Sequence, residues 1–130
     1  MTSKDSIGCE IWSADGDFIE QVFPANRGAV SEFLASVGPD DSVSMVWNDG
    51  EDPCLLIALS EGRAIVTLIL NAAFHTLVGS VEVGDVEMVV GGQSILQPKR
   101  LTVSVDDAAR LIGEIPDVEG MLQRHSWHRE

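Results

Sequence analysis

Hydrophobic and polar residues alternate along residues 7–12, and this period of two predicts a β-strand. The strand ends at a turn-forming segment, and residues 18–23 are its expected hairpin partner. Three further strands are predicted at residues 43–47, 54–59 and 63–70, joined by short turns as an antiparallel meander. The last of them is rich in Ile, Val and Leu with little alternation, so we expect a central strand that is covered on both faces.

Two segments have helical spacing instead. Asn26 is a candidate N-cap residue, and apolar residues then recur at intervals of three and four until a Gly38-Pro39 pair ends the helix. Ser104 and Asp107 resemble a capping box, and the helix that follows them is expected to end at Pro116. The chain therefore combines strands with at least two amphipathic helices.

The C-terminal segment continues with a shorter helical pattern that begins at Asp117. Residues 125–128 form a tail that we expect to dock through Trp127. Earlier in the chain, residues 81–90 are expected to extend the sheet, whereas residues 71–80 show no clear pattern.

These elements predict a single α+β domain over residues 1–130. We expect a mainly antiparallel β-sheet of about five or six strands packed with two or three helices. The residues expected in the core are Val43, Met45, Leu56, Ile65, Val66, Leu68, Phe33, Leu34, Leu111 and Ile112.

Composition narrows the choice of partner. The chain carries 21 acidic and 8 basic residues, for a net charge of −13, which disfavours nucleic acid and anionic membranes and favours a cationic partner. No apolar run approaches the roughly 18 residues of a membrane span, and the N-terminus lacks the features of a signal peptide. We therefore expect a cytoplasmic protein that is monomeric when free, with Cys9 and Cys54 reduced and buried.

The negative charge is concentrated between residues 28 and 98, where ten acidic residues accompany one basic residue, Arg63. Several of these acids lie in predicted turns, and acidic surfaces speed association with a basic partner. Trp47 directly precedes one acidic turn, which leaves two interpretations, an interface anchor or a core residue. The predicted partner-binding residues are Asp40, Asp41, Trp47, Asp49, Glu51, Asp52, Glu82, Asp85 and Glu87.

No residue set has the type and spacing that catalysis or metal binding requires. A zinc site needs three or four clustered ligands, and His125 with His128 in the expected tail supplies two. Cys9 and Cys54 lie in apolar strand patterns, where a thiol packs as a small hydrophobic group. We therefore predict no enzymatic activity, no cofactor and no required metal.

Several segments resemble a known family. They are residues 46–50 (VWNDG), 53–59 (PCLLIAL), 62–68 (GRAIVTL) and 94–111, the last with a Val-acid-acid-Ala run. They are similar to the first-numbered immunity-protein family of bacterial polymorphic toxin systems, whose members neutralise deaminase-superfamily toxins. The resemblance implies an α+β antiparallel sheet and a non-enzymatic inhibitor, and it assigns no catalytic residue. The segment after residue 116 is longer than the family pattern.

The leading hypothesis is an immunity protein that binds a cognate bacterial toxin, with a nucleic-acid deaminase as the expected class, and blocks its active or substrate-binding site. Toxins that act on nucleic acid need positive surfaces, for which an acidic protein competes. One alternative is an acidic immunity or adaptor module of another family with a different basic partner. The other is a small enzyme whose carboxylates, with raised pKa values, act in a polar cleft.

Overall fold

The computed structural model describes residues 6–13, 15–38, 40–48, 51–115 and 117–129. These ranges form an α+β fold with ten strands and three helices, in agreement with the predicted class. The helices are α1 (Arg27–Ala35), α2 (Val105–Ile112) and α3 (Val118–Arg124), and Lys99–Leu101 form a 3₁₀ turn. The strands are β1 (Ser6–Trp12), β2 (Phe18–Pro24), β3 (Ser42–Trp47), β4 (Cys54–Ser60), β5 (Arg63–Leu70), β6 (Ala73–Leu77), β7 (Asp85–Val90), β8 (Gln93–Pro98), β9 (Val103–Ser104) and β10 (Trp127–Arg129).

Eight strands form one sheet in the order β10-β6-β5-β4-β3-β1-β2, with β9 pairing to β5 beside this path. All its pairs are antiparallel. The sheet is larger than predicted because β6 and β10 add to the meander. β10 replaces the tail that the sequence suggested, and the Trp127 Nε1–H docks it by donating to the Met121 carbonyl oxygen at 3.1 Å.

The three helices begin where the sequence predicts them, and α1 and α2 begin at the predicted caps. Asn26 and Ser104 accept hydrogen bonds from the N–H groups three residues further on, at 2.8 and 3.1 Å. Asp117 caps α3 in the same way at 3.2 Å. Pro39 and Pro116, which were expected to end helices, lie outside the described residues. The longest described helix, α1, has 9 residues, so no helix in these ranges could cross a membrane.

α1 and α2 cover one face of the sheet, which we name the inner face. Its residues are the alternate positions of β3, β4 and β5, and the register aligns them across the three strands. The core of buried side chains between this face and the helices includes Val30, Phe33, Val43, Met45, Trp47, Leu55, Ile57, Leu59, Ala64, Val66, Leu68, Leu111 and Ile112.

The opposite face, which we name the outer face, is less covered. Leu56 and Ile65 were predicted to lie in the core, but they are half-buried on this face. The register explains the difference, because it aligns them with Val46 and Ala58 on the side away from the inner-face residues. Leu34 in α1 is also half-buried rather than buried.

The β7–β8 hairpin lies on the outer face over β3 and β4. Met88 anchors it there with a fully buried side chain. The N–H of Val89 donates to the Ser60 hydroxyl at 2.9 Å, which ties β7 to the end of β4. The hairpin therefore supplies part of the cover that the helices give to the inner face.

The prediction that residues 81–90 extend the main sheet is wrong, because β7 pairs only with β8 among the described strands. Gly91 and Gly92 both have positive φ, 60° and 80°, and they form the tight turn that folds β8 back onto β7. Residues 81–83 are not in a strand. Hydrophobic patterning located β7 but did not determine its partner.

Gly79 fixes the base of the hairpin. Its N–H donates to the Arg100 carbonyl oxygen at 2.9 Å, and a Cβ at this position would collide with the carbonyl oxygen of Thr102. Only glycine permits this approach of two chain segments. The Lys99 N–H donates to the Gly84 carbonyl oxygen at 3.0 Å and closes the base from the other side.

Replacing Trp47 by Ala should lower the free energy of unfolding by about 3 to 5 kcal/mol, because it leaves a large cavity in the core. Urea unfolding followed by circular dichroism measures this loss. Val22→Ala is the control, since Val22 is exposed on β2 and its loss should change stability by less than about 1 kcal/mol. Equal effects of the two substitutions would contradict the burial of Trp47.

Candidate protein-binding face

Trp47 belongs to the core and not to an exposed interface. Its side chain is 2% exposed, and the register sets it beside Ile7 of β1 and Leu55 of β4 on the inner face. It is in phase with Val43 and Met45, the two other buried apolar residues of β3. The prediction that Trp47 anchors a partner is therefore wrong, and the core interpretation is correct.

The predicted acidic residues do not come together as one site. Asp40 and Asp41 precede β3, and Glu51 and Asp52 follow it. β3 has 6 residues, so the two acidic turns lie at opposite ends of the sheet, about 20 Å apart at the usual rise per residue. Asp49 lies outside the described residues.

Asp52 is used by the fold itself. Its carboxylate oxygens accept hydrogen bonds from the N–H groups of Asn71 and Ala72, at 2.9 and 2.7 Å. These two residues have φ of 54° and 61° and form the tight turn between β5 and β6. Positive φ is unfavourable for alanine. The Asp52 carboxylate therefore stabilises a turn conformation that the residues of the turn do not favour by themselves.

Asp40 and Asp41 lie beside the tip of the hairpin. Together with Glu61 and Gly92 they line a cavity of about 280 Å³. Asp41 shapes its own turn by accepting the N–H of Gly38 at 3.0 Å, whereas Asp40 and Glu61 are exposed. None of the described residues that line this cavity is a lysine or an arginine. This end of the hairpin is thus negatively charged.

The other predicted acids stand on the outward side of the hairpin and in the loop before it, next to exposed apolar side chains. Leu96 lies directly opposite Glu87 in the hairpin and is 71% exposed. Val81 and Val83 are 97% and 90% exposed. We name the acidic ridge by its six members, Val81, Glu82, Val83, Asp85, Glu87 and Leu96.

The carboxylates of the acidic ridge make two contacts within the described residues. Glu82 pairs with Arg63 at 3.6 Å, and Glu87 accepts a hydrogen bond from the Ser94 hydroxyl at 2.9 Å. Both contacts are at the surface, where ion pairs contribute little to stability. The ridge therefore keeps its negative charge accessible to a partner. Sequence reasoning found its acids but missed its apolar members.

A polar cluster that the sequence did not indicate lies on the helix side. Glu114, Arg124 and His125 line a cavity of about 390 Å³. One carboxylate oxygen of Glu114 accepts from Arg124 Nε at 2.7 Å, and the other is 2.7 Å from His125 Nε2. Arg124 also pairs with Asp117 at 3.2 Å. These contacts tie the segment after α2 to the C-terminal end of α3, and the Arg124–Asp117 pair links that end to the N-cap of the same helix.

The pKa of the Glu114 carboxyl reflects these contacts. Burial raises the pKa, but the hydrogen bonds from His125 and Arg124 outweigh burial and hold it below the ordinary value. The hydrogen bonds that lower the pKa also join the segment after α2 to the C-terminal end of α3, so the cluster acts as a clamp in the fold.

The described residues contain no group of three or more His, Cys, Asp or Glu placed to hold a metal ion. Cys9 and Cys54 are buried thiols that form no disulfide, as predicted. Burial, with a smaller contribution from Glu10, raises the pKa of the Cys9 thiol to about 12. The thiol is thus protonated at neutral pH and is a poor nucleophile.

No family model matches this chain, and no curated protein or solved structure matches it. The resemblance to immunity proteins therefore rests on the sequence motifs alone.

Asp52→Ala should lower the free energy of unfolding by about 1 to 2 kcal/mol, because the Asn71 and Ala72 N–H groups lose their charged acceptor. Chemical denaturation at neutral pH measures the change. Glu51→Ala, a substitution of the exposed neighbour, should stay within about 0.5 kcal/mol of the unsubstituted chain. If both variants were equally stable, Asp52 would not hold the turn.

Protonation of Glu114 should lower the free energy of unfolding as the pH falls. Its folded pKa lies below the ordinary value of 4.5, so the ionised group stabilises the fold above that value and the contribution is lost as pH falls through the folded pKa. Urea unfolding between about pH 7 and pH 3 should show a shallower decline for Glu114→Gln, which starts from a lower stability. Glu119→Gln on exposed α3 surface is the control, and a matching change in its profile would contradict the assignment.

Proposed function

We propose that this chain is an immunity protein that binds a bacterial toxin and blocks its basic substrate-binding surface. The acidic ridge carries the proposal, because it joins exposed apolar side chains to accessible carboxylates. Protein interfaces gain affinity from apolar anchors that lose water, and gain association rate and specificity from complementary charge. The family resemblance supplies the class of toxin, a nucleic-acid deaminase.

The position of the ridge suits an inhibitor. A hairpin packed on a sheet stands about 10 Å above it, so the outward side of β7 and β8 projects from the outer face. A nucleic-acid-modifying enzyme binds its substrate in a positively charged cleft. The acidic ridge enters such a cleft in the place of the phosphate backbone, while Leu96 and the two valines contact its apolar wall.

The two alternative functions are supported differently. A carboxylate that acts as a general acid has a raised pKa in a polar cleft, whereas Glu114, which lines the polar cavity on the helix side, has a lowered pKa. An adaptor for another basic partner would use the same ridge. The identity of the partner separates the adaptor from the immunity protein.

The chain should copurify with the toxin domain encoded beside its gene and should abolish the deaminase activity of that domain at an equimolar ratio. Copurification without inhibition would favour the adaptor. Failure to bind any such domain would contradict the proposed function.

Asp85→Lys combined with Glu87→Lys should slow association with the toxin about tenfold at low salt, and the rate should become less sensitive to salt. Stopped-flow or surface-based kinetics measure the rates. Glu32→Lys combined with Glu119→Lys makes the same change in net charge on the exposed helix side and should slow association much less. Equal rates for the two double variants would show that net charge, and not the ridge, controls association.

A further inference from the structure

The sheet ends at β2 in an edge that is unusually open to pairing. β2 has 7 residues and pairs with β1 and no other described strand, so its second row of backbone groups has no strand partner there. Phe18, Ile19 and Val22 on this edge are 47%, 50% and 68% exposed. Natural edge strands avoid unwanted pairing with charges, prolines or bulges. β2 has one charge, at Glu20, and its proline is the final residue, Pro24.

Glu20 faces a second carboxylate across the sheet. The register sets Glu20 directly opposite Glu10 of β1, and both side chains are exposed. Like charges opposite each other in an antiparallel pair repel, and neither carboxylate forms an ion pair with a described residue. A cation held between the two would replace this repulsion with attraction.

A cavity of about 490 Å³ lies beside the two carboxylates on the outer face. The cavity exists because Gly8 and Ser44, which form its floor, are small residues. Val22 and Val46 line it with apolar surface. Lysine and arginine have a long apolar stem and a charged end, and they bury the first while exposing the second. The cavity offers apolar contact for the stem and two carboxylates for the charge.

We propose that β2 is a docking edge for an extended segment of the partner, which adds a strand and places a lysine or arginine in this cavity. Alternate side chains of an added strand face the same side of the sheet. The side chain next to Glu20 therefore lies between those next to Phe18 and Val22. The partner segment that fits this edge therefore has five residues in the order apolar, any residue, basic, any residue, apolar. This inference rests on the proposed function in that the partner is a basic protein.

Charge complementarity favours a basic segment of the partner over a second copy of this chain as the occupant of the edge. Two copies paired along β2 would bring their Glu20 carboxylates near each other, and each copy has a net charge of −13. A basic segment has the opposite charge and supplies the cation that the pair of Glu10 and Glu20 lacks. The apolar residues of β2 suit either occupant, so the decision rests on electrostatics.

Two synthetic peptides test the docking edge without the toxin. One is acetyl-Thr-Val-Thr-Lys-Thr-Val-Thr-amide, and the other has glutamate in place of the lysine. In a nuclear magnetic resonance titration of the full chain, the lysine peptide should shift the amides of β1 and β2 and slow hydrogen exchange at alternate residues of β2. The glutamate peptide should do neither. Equal responses to both peptides, or none, would overturn the inference.

Substitutions in the chain sharpen the same test. Glu20→Lys should reverse the preference between the two peptides, whereas Glu32→Lys on the exposed surface of α1 should keep it. Thermal unfolding of both variants confirms that they are folded. A dimer that forms with rising concentration and protects the β2 amides in the absence of peptide would assign the edge to a second copy and overturn the proposal.

Binding to the toxin separates this inference from the proposed function. If the unsubstituted chain binds the toxin and Glu20→Lys weakens binding by about tenfold or more, both are supported. If Glu20→Lys binds as tightly as the unsubstituted chain, the docking edge is wrong and the immunity function stands. If the toxin does not bind but the lysine peptide does, the immunity function fails and the edge is a receptor for another basic segment.

Discussion

Packing of alternate residues of β3, β4 and β5 against α1 and α2 determines what remains available for recognition. Because side chains of a strand alternate between faces, filling the inner face leaves Val46, Leu56 and Ile65 on the outer face. These residues are apolar and need cover. The β7–β8 hairpin covers the part over β3 and β4, held by Met88, and leaves the side near β1 and β2 open. The acidic ridge lies on the outward side of this cover and in the loop before it, and the cavity beside Glu20 lies where the cover is missing.

Local signals in the sequence predicted the first five strands and the starts of the three helices correctly, because periodicity and capping depend on neighbouring residues. Asn26 and Ser104 illustrate this, since each caps a helix through a bond to the third residue on. The same signals could not assign Leu56 and Ile65 to a face. Alternation shows which residues share a face, but the burial of that face depends on elements far along the chain.

The candidate site shows the same division between local and distant information. The acidic residues were visible in the sequence, yet Asp52 bonds to backbone groups 19 and 20 positions away, and no local pattern reveals that use. Trp47 next to an acidic turn resembled an interface residue, but its phase with Val43 and Met45 already favoured the core. The exposed Leu96 became significant only when the hairpin register aligned it with Glu87.

The close crossing at Gly79 makes the joint between the sheet and the hairpin stiff. Backbone hydrogen bonds close it on two sides, and the buried Met88 side chain packs beneath the hairpin. In the proposed function, a hairpin held in this way is preorganised for the toxin, so binding would require little loss of conformational freedom. A stiff element also adapts poorly to a cleft of the wrong shape. Discrimination among related toxins would then depend on rigid fit, and a toxin would avoid the proposed inhibition by changing the shape of its cleft while keeping its charge.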